Sequence, residues 1–591
     1  MPHVKIAAVK ELEKSIATFY GECVSLNEAE FDAYKSMGYA NAWKVELRVA
    51  ARIIPSAILI DHTFPFSSPR IAILGYENFS PLIPHIGGDG LLCLGETGYN
   101  YFSGQTSIKP LICAAYNLIE NGLFAKGDAD FQSEFLNYWN LGASKSAYAC
   151  VKHKDCLSTI VYVLIHGEIY FFEDEKTGRK WLTQCFGGLP KGTHFRNTML
   201  VPIEDVWLPP QYPQNGHDIM EIVKQNATGS WEMPLECAAT TDRAFIPILF
   251  SFSLKSQNIF VAANIRQSSK KFRHKQYGKR GVPWVLLAQH FFSPSAKVEK
   301  MSVHRIDSEW LHYRGEAGRA GQLRDMNVAI LGCGSLGGQV ADFLCRAGIG
   351  KVTLFDPDIL LWDNIYRHIL GTEYVGHNKA KALALFLEKK FPETTISSHA
   401  IAWEKHFAEG KKPQFLQFDL IISLIGDTEN NAEYFLSYCS HKEFFTPVLF
   451  GWVEVWGAAG HALLLGSQQK EDGCLLCKIA SEHQIRNVYA FDEEQEIKLP
   501  ACSTTFAPYG FIDVAPIVSM ISNLALDFFS YEDGVRDNYR IWVSNTGKVT
   551  QNGGTLNPWV KEKFGCIQGE QVLRSTWVLD EQCPVCQKND L

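Results

Sequence analysis

At 591 residues the chain is too long for one hydrophobic core, so three or four domains are expected. It is 46% apolar and 20% charged with a formal charge of −8, a mildly acidic balance that argues against nucleic-acid binding as the main activity. The opening MPHVKIAAVKELEK has no apolar run of signal-peptide length, and the apolar run Pro447–Gly466 carries Glu454 and His461, so neither a secreted nor a membrane-spanning protein is expected. A cytoplasmic location follows as the expectation. Sixteen cysteines in such a chain point to thiols, metal ligands and nucleophiles rather than a disulfide framework. Cys23, Cys113, Cys150, Cys333, Cys345 and Cys439 sit in apolar segments and read as small buried hydrophobes.

From the start, Val4, Ala7, Leu12, Ile16 and Tyr20 recur at helical spacing over residues 1–20. Period-2 runs follow at Trp43–Val49, Ala57–Ile60 and Ile71–Leu74, which reads as a helix and an antiparallel meander. A proline-stiffened connector, Phe64-Pro65-Phe66-Ser67-Ser68-Pro69, joins the last two strands. Cys93 then follows His85 and a loop with Gly87, Gly88 and Gly90, which would turn the backbone sharply and leave the thiol accessible; a buried core cysteine is the alternative. A further helix is expected from Ile108 to Leu123. This order of features over residues 1–140 resembles the ubiquitin-conjugating enzymes, which carry Y-P-F-x-P-P and then H-P-N ahead of a thioester cysteine. The resemblance implies that Cys93 is the thioester cysteine and His85 the loop-shaping histidine. The H-P-N motif stands here as His85-Ile86-Gly87, so the family's oxyanion-supporting asparagine has no counterpart.

Residues 150–300 read as a folded connector. Ile160–Ile165 and Ile169–Phe172 flank His166-Gly167, a hairpin signal, and Ile246–Leu254 and Ile259–Ile265 read as further strands. The basic run Lys270–Lys275 with Lys279 and Arg280 is a solvated loop or a docking surface for an acidic partner.

Beyond it, Arg314 and Arg319 lie on an expected helix, as surface arginines or phosphate contacts. Asn327–Arg367 then reads as a buried strand, a glycine turn, a helix and a second strand. Gly332, Gly334 and Gly337 have the G-x-G-x-x-G spacing that brings backbone N–H groups to phosphate at a helix N-terminus. Asp356 closes the second strand, where a carboxylate can accept from ribose hydroxyls. Lys379 opens a helix and is easily placed beside phosphates. The strand Phe418–Asp427 aims Asp427 at the same crevice, where a carboxylate suits Mg²⁺ beside a triphosphate. A dehydrogenase needs no such arginine, lysine and metal-binding carboxylate, whereas attack of a carboxylate on ATP needs this neutralisation.

These residues resemble the activating-enzyme superfamily of ThiF, MoeB and the ubiquitin-activating enzymes. The matching motifs are G-C-G-S-L-G, Asp356-Pro357-Asp358, Asp363-Asn364-Ile365-Tyr366-Arg367-His368, Val375-Gly376-His377-Asn378-Lys379 and Gly426-Asp427, with His368 where the family has glutamine. The resemblance implies that Asp356 holds the ribose of ATP, Asn364, Arg367 and Lys379 its phosphates, and Asp427 the magnesium.

Two C-x-x-C pairs, Cys474/Cys477 and Cys583/Cys586, offer four thiolates for a structural Zn²⁺, with redox activity as the competing reading. Between them Cys502 lies in a loop before a long apolar helix that ends near Phe529. In the superfamily the cysteine that takes over the acyl group lies in this crossover loop, which implies that role for Cys502; Cys566 is the alternative.

The expected fold is multidomain: an α+β ubiquitin-conjugating-like domain (1–145), an α+β connector (146–305), and an α/β Rossmann-like ThiF-type adenylation domain with a zinc knuckle (306–591). The order resembles the bacterial fusion enzymes of CBASS anti-phage operons. It implies ATP-dependent activation of a protein C-terminus, thioester relay through Cys502 and Cys93, and conjugation to an acceptor amine. It further implies a cGAS/DncV-like nucleotidyltransferase as substrate and a homodimer. A sulfur-carrier adenylyltransferase and a non-catalytic ATP-binding scaffold are the other readings.

Overall fold

The computed structural model describes residues 2–49, 52–76, 83–95, 98–124, 128–226, 233–234, 236–237, 245–254, 257–266, 284–313, 322–425, 431–444, 446–466, 473–477, 487–491, 497–498, 505–506, 509–531, 534–580, 583 and 585–586. Arg314, Arg319, Asp427, Cys502 and the basic run at 270–280 lie outside the described residues. The chain forms two compact units, Met1–Phe171 with His194–His304, and Phe172–Thr193 with Arg305–Leu591.

The first unit opens with α1 (Pro2–Tyr20), β1 (Val24–Ser25) and α2 (Glu28–Lys35), followed by β2 (Tyr39–Val49), β3 (Arg52–Asp61) and β4 (Arg70–Ile73). The strands form one sheet in the order β1-β2-β3-β4, antiparallel throughout. Ala8, Leu12 and Ile16 recur every four residues and are fully buried. They meet Trp43, Val45 and Leu47 of β2 and the stripe Leu111, Ile112, Ala115 and Ile119 of α3 (Lys109–Leu123). Cys113 falls between those stripe positions and is exposed, contrary to its reading as a buried hydrophobe. Cys23 is half-buried, while Cys150, Cys333, Cys345 and Cys439 are buried.

Two short helices, α4 (Asp128–Ser133) and α5 (Phe135–Asn140), lead into the connector. Its strands are β5 (Lys145–Cys150), β6 (Ser158–Ile165), β7 (Glu168–Phe172), β8 (Arg196–Ile203), β9 (Phe245–Leu254), β10 (Gln257–Arg266) and β11 (Lys297–Arg305). They close into a barrel in the order β10-β11-β5-β7-β6-β8-β9. The β6–β7 turn uses His166 and Gly167 at φ of 52° and 88°, the left-handed pair that matches strand twist in a two-residue hairpin. Phe135, Tyr138 and Trp139 of α5 pack in the barrel's cluster beside Tyr212 and Phe252.

The second unit begins with α6 (Glu175–Phe186), started by the Asp174 carboxylate accepting from Thr177 N–H at 2.8 Å. The main sheet comprises β12 (Asn327–Leu331), β13 (Lys351–Phe355), β14 (Thr395–His399), β15 (Leu420–Ser423), β16 (Val448–Val453), β17 (Ala459–Leu465), β18 (Tyr539–Val543) and β19 (Gln571–Ser575). Its order is β14-β13-β12-β15-β16-β17-β18-β19; the first five strands are parallel and the last three antiparallel. Strand alternation splits it cleanly. Val328 and Ile330 face α7 (Gly337–Ala347), α8 (Lys379–Lys390) and α9 (Phe511–Ser530), while Ala329 and Leu331 face the cluster of Trp403, Phe415 and Leu436. By length and composition α9 could cross a membrane; here its Val514, Ile517, Val518 and Ile521 are buried in the first of those clusters.

Candidate active sites

The glycine turn after β12 divides its labour. Gly332 has φ of +87°, and a Cβ there would lie 2.9 Å from the Leu424 carbonyl; at Gly337 a Cβ would lie 1.8 Å from the Gly332 carbonyl. Both glycines are therefore required by the turn itself. Gly334 has nothing within 4 Å of its hypothetical Cβ and lines a cavity of about 360 Å³ at the carboxyl ends of β12 and β15.

Asn364, Arg367 and Lys379 line the same cavity, with Ser335, Leu336, His368, Leu424, Ile425, Val453 and Tyr509. Lys379 is the first residue of α8, whose N-cap Asn378 accepts from Lys381 N–H at 3.0 Å. The Asn378 amide also donates to the carbonyls of Asp356 and Asp358, at 2.8 and 3.0 Å, so the helix start is stapled to the acidic turn. Lys379 Nζ lies 3.0 Å from Asp358 Oδ2. Asp356 is placed differently from Lys379. It is 5% exposed and does not line the cavity; its two carboxylate oxygens accept from Cys333 N–H at 2.6 Å and Asp358 N–H at 2.8 Å. Burial pushes its carboxyl above the ordinary value against those two hydrogen bonds.

His368 accepts from Leu370 N–H at Nδ1 (3.1 Å), which leaves Nε2–H to donate to the Cys333 carbonyl at 2.6 Å. Burial holds this imidazole below its ordinary value, so the neutral ring locks the glycine turn. Reading the sequence missed Ser335 and Tyr509. The Tyr509 hydroxyl lies 3.0 Å from Ser335 Oγ, and the Arg367 guanidinium sits 5.2 Å from the Tyr509 ring. The available signal was the position of Tyr509 directly before Gly510, the N-cap of α9.

Cys474, Cys477, Cys583 and Cys586 are buried, with all four sulfurs within 4.8 Å of one another. Sulfur separations of 3.5 Å (474–583), 3.9 Å (474–477) and 3.4 Å (477–586) suit tetrahedral zinc. Zinc–sulfur bonds of about 2.3 Å would put the sulfurs roughly 3.8 Å apart. The Cys474 N–H donates to Cys477 Sγ at 3.2 Å and the Asp580 N–H at 3.5 Å, which favours thiolate. Cys566, the alternative acyl-accepting cysteine, is exposed.

In the first unit, Cys93 is exposed at the end of a loop stapled to β4 by Ile73 N–H to Gly90 O (2.8 Å) and Leu92 N–H to Ile71 O (2.9 Å). Cys93 N–H donates to the His85 carbonyl at 2.8 Å. Cys93 and His85 share a cavity of about 210 Å³ with Pro84, Asn121 and Asp130.

Residues 23–148 match Prokaryotic E2 family B, and residues 311–532 match the ThiF family. The chain joins a prokaryotic E2-type domain to a ThiF-type domain. It is 35% identical over 185 residues to the ATP-dependent ubiquitin transferase-like protein Cap2 of Pseudomonas aeruginosa, covering 31% of this chain and 32% of that protein. Against Cap2 of Escherichia coli it is 27% identical over 362 residues, 58% of this chain and 54% of that protein. Ubiquitin-like modifier-activating enzyme 5 of Drosophila simulans is 40% identical over 78 residues, 13% of this chain and 19% of that protein. The chain thus spans between a fifth and just over half of the length of these curated relatives. Among solved structures, E. coli MccB with ATP superposes with a TM-score of 0.32 at 19% identity, over 45% of this chain and 68% of that one, too loosely to carry an argument.

Proposed function

We propose that the chain adenylates the C-terminal carboxylate of a protein, carries it as a thioester on Cys502 and then Cys93, and joins it to an acceptor amine. The observation that carries this reading is the 360 Å³ cavity in which Gly334, Asn364, Arg367 and Lys379 converge at the carboxyl ends of parallel strands. A guanidinium, an ammonium and a helix N-terminus suit a triphosphate and offset the repulsion as a second anion, the substrate carboxylate, approaches the α-phosphorus. Asp427 lies two residues past Ile425 of the cavity wall, a span of at most about 7 Å, within reach to hold Mg²⁺ on the phosphates. Cys502 lies seven residues before Tyr509 of the same wall, a span of at most about 25 Å.

The carboxylate oxygen attacks the α-phosphorus and displaces pyrophosphate. The Cys502 thiolate then attacks the acyl carbon and displaces AMP. Transfer to the Cys93 sulfur keeps the acyl group activated until an amine takes it. Both cysteines on one chain raise their effective concentration. The cysteine tetrad would hold a structural Zn²⁺, tying Cys474 and Cys477 to Cys583 and Cys586, and no step runs through it. By the resemblance to the CBASS fusion enzymes we read a place in anti-phage defence, with a cGAS/DncV-like nucleotidyltransferase as the activated protein. We further read the enzyme as cytoplasmic and homodimeric.

Incubation with ATP, Mg²⁺ and a candidate carrier, followed by non-reducing gels, tests the relay. Thiol-sensitive adducts are expected, all lost in Cys502→Ala and only the second lost in Cys93→Ala. Asp427→Ala is expected to abolish pyrophosphate release. AMP formation with no thiol-sensitive adduct would favour the sulfur-carrier adenylyltransferase, and no turnover with any carrier the scaffold.

A further inference from the structure

We propose that His85 is the general base of the Cys93 step, that Glu134 is the carboxylate orienting it, and that the acceptor is a primary amine drawn in beside Asp130. The proposal rests on the reading of Cys93 as an acyl carrier. It goes beyond that reading by naming the groups that move the proton.

One imidazole stands between two carboxylates. His85 Nδ1 lies 3.1 Å from Glu134 Oε1, whereas Nε2 is 3.8 Å from Asp130 Oδ2. The nearer carboxylate faces Nδ1, and Nε2, on the other side of the ring, is the nitrogen we assign as the base. The Tyr138 hydroxyl lies 3.4 Å from Glu134 Oε2, to which it donates, and accepts the backbone N–H of His85 at 2.6 Å. The ring thus faces Glu134, the N-cap of α5, and the backbone is held by Tyr138 within that helix. A histidine that only shaped the loop would need none of this. Its φ of +62° is a conformation that glycine or asparagine adopts with less strain, and the turn makes no demand on an imidazole.

Cys93, His85 and Asp130 line one cavity, whereas Glu134 is not among its lining residues, the arrangement of a nucleophile site with a base oriented by a third group. The groups facing the imidazole are Glu134, Asp130, Tyr138 and Cys93, so the site is anionic and favours a cationic ammonium over a second carboxylate. In the transfer, the ammonium first loses one proton to solvent water; the neutral amine nitrogen then bonds to the thioester carbon and gives a second proton to His85 Nε2. The carbon–sulfur bond then breaks, and the proton passes to the departing Cys93 sulfur, leaving an amide and a free thiol.

The test installs the acyl group chemically, without ATP. Acetylglycine is exchanged onto the full chain from its mercaptoethanesulfonate thioester, L-lysine is added, and peptide mass spectrometry follows the acyl group on each cysteine. Exposed Cys113, Cys156 and Cys566 serve as internal references. His85→Asn, which suits the left-handed backbone, is expected to slow discharge from Cys93 at least about a hundredfold. Glu134→Gln is expected to slow it about tenfold, and Glu134→Asp, which keeps the carboxylate, to recover part of that loss. Loss of packing alone would not be repaired by the shorter carboxylate. His85→Asn discharging Cys93 at the wild-type rate, or Glu134→Asp discharging no faster than Glu134→Gln, would overturn the proposal. Because no adenylation is involved, either result stands apart from the outcome of the relay experiment.

Discussion

At the scale of single residues, the three turn glycines are not equivalent, although their spacing makes them look so. Gly337→Ala would force a methyl group against a backbone carbonyl that cannot retreat, and is expected to cost more than about 3 kcal/mol of stability in denaturant unfolding. Gly334→Ala meets nothing and is expected to change stability by less than about 1 kcal/mol while weakening ATP binding, measured by calorimetry. The opposite ranking would refute the division. The motif was legible in the sequence because a tight turn is local, but its internal roles depend on which carbonyl or cavity each Cα faces. The same limit applies to Asp356. Its place at the strand end was legible, whereas its commitment to two backbone N–H groups depends on how the turn folds back over it. Glu134, forty-nine residues from His85, left no trace in any local pattern.

At the scale of elements, helices and strands with clear periodicity were readable: α1, the β2–β4 meander, α3, β12 and α8 follow their apolar spacing. The barrel was not. Its strands were visible piecemeal, but closure depends on pairings such as β5 with β11 and β8 with β9, between segments far apart in the chain. The cysteine pairs show both sides. Each C-x-x-C is a local signal, whereas the meeting of residues 109 apart is tertiary. One zinc per chain is expected by elemental analysis, and Cys583→Ser or chelation is expected to remove it and lower the melting temperature by several degrees. A metal-free wild type with an unchanged melting temperature would refute the assignment. Free energy for ordering this end of the chain would come from the metal, since four thiolates crowded without it repel one another.

At the scale of the whole molecule, the chain enters the second unit, leaves it and returns: residues 172–193 belong with residues 305–591. Helix α6 packs on α8, the helix whose first residue is Lys379, and Lys180 Nζ reaches Thr395 Oγ at 3.2 Å. Residues 305–591 expressed alone are therefore expected to unfold at lower temperature and to bind ATP more weakly than the full chain. A synthetic peptide of residues 172–193 supplied in trans is expected to restore part of both. Full stability of the shortened chain would show α6 to be dispensable.

That α6 excursion bears on how such a protein could have been assembled. Two ancestral genes joined end to end leave a seam, and either half can later be exchanged at it. Here a cut at residue 305 would sever α6 from its own packing partners, so recombination there would yield two impaired fragments. Inheritance of the connector and the ThiF-type part is thereby linked: a foreign connector must also bring a helix that fits the ThiF-type surface.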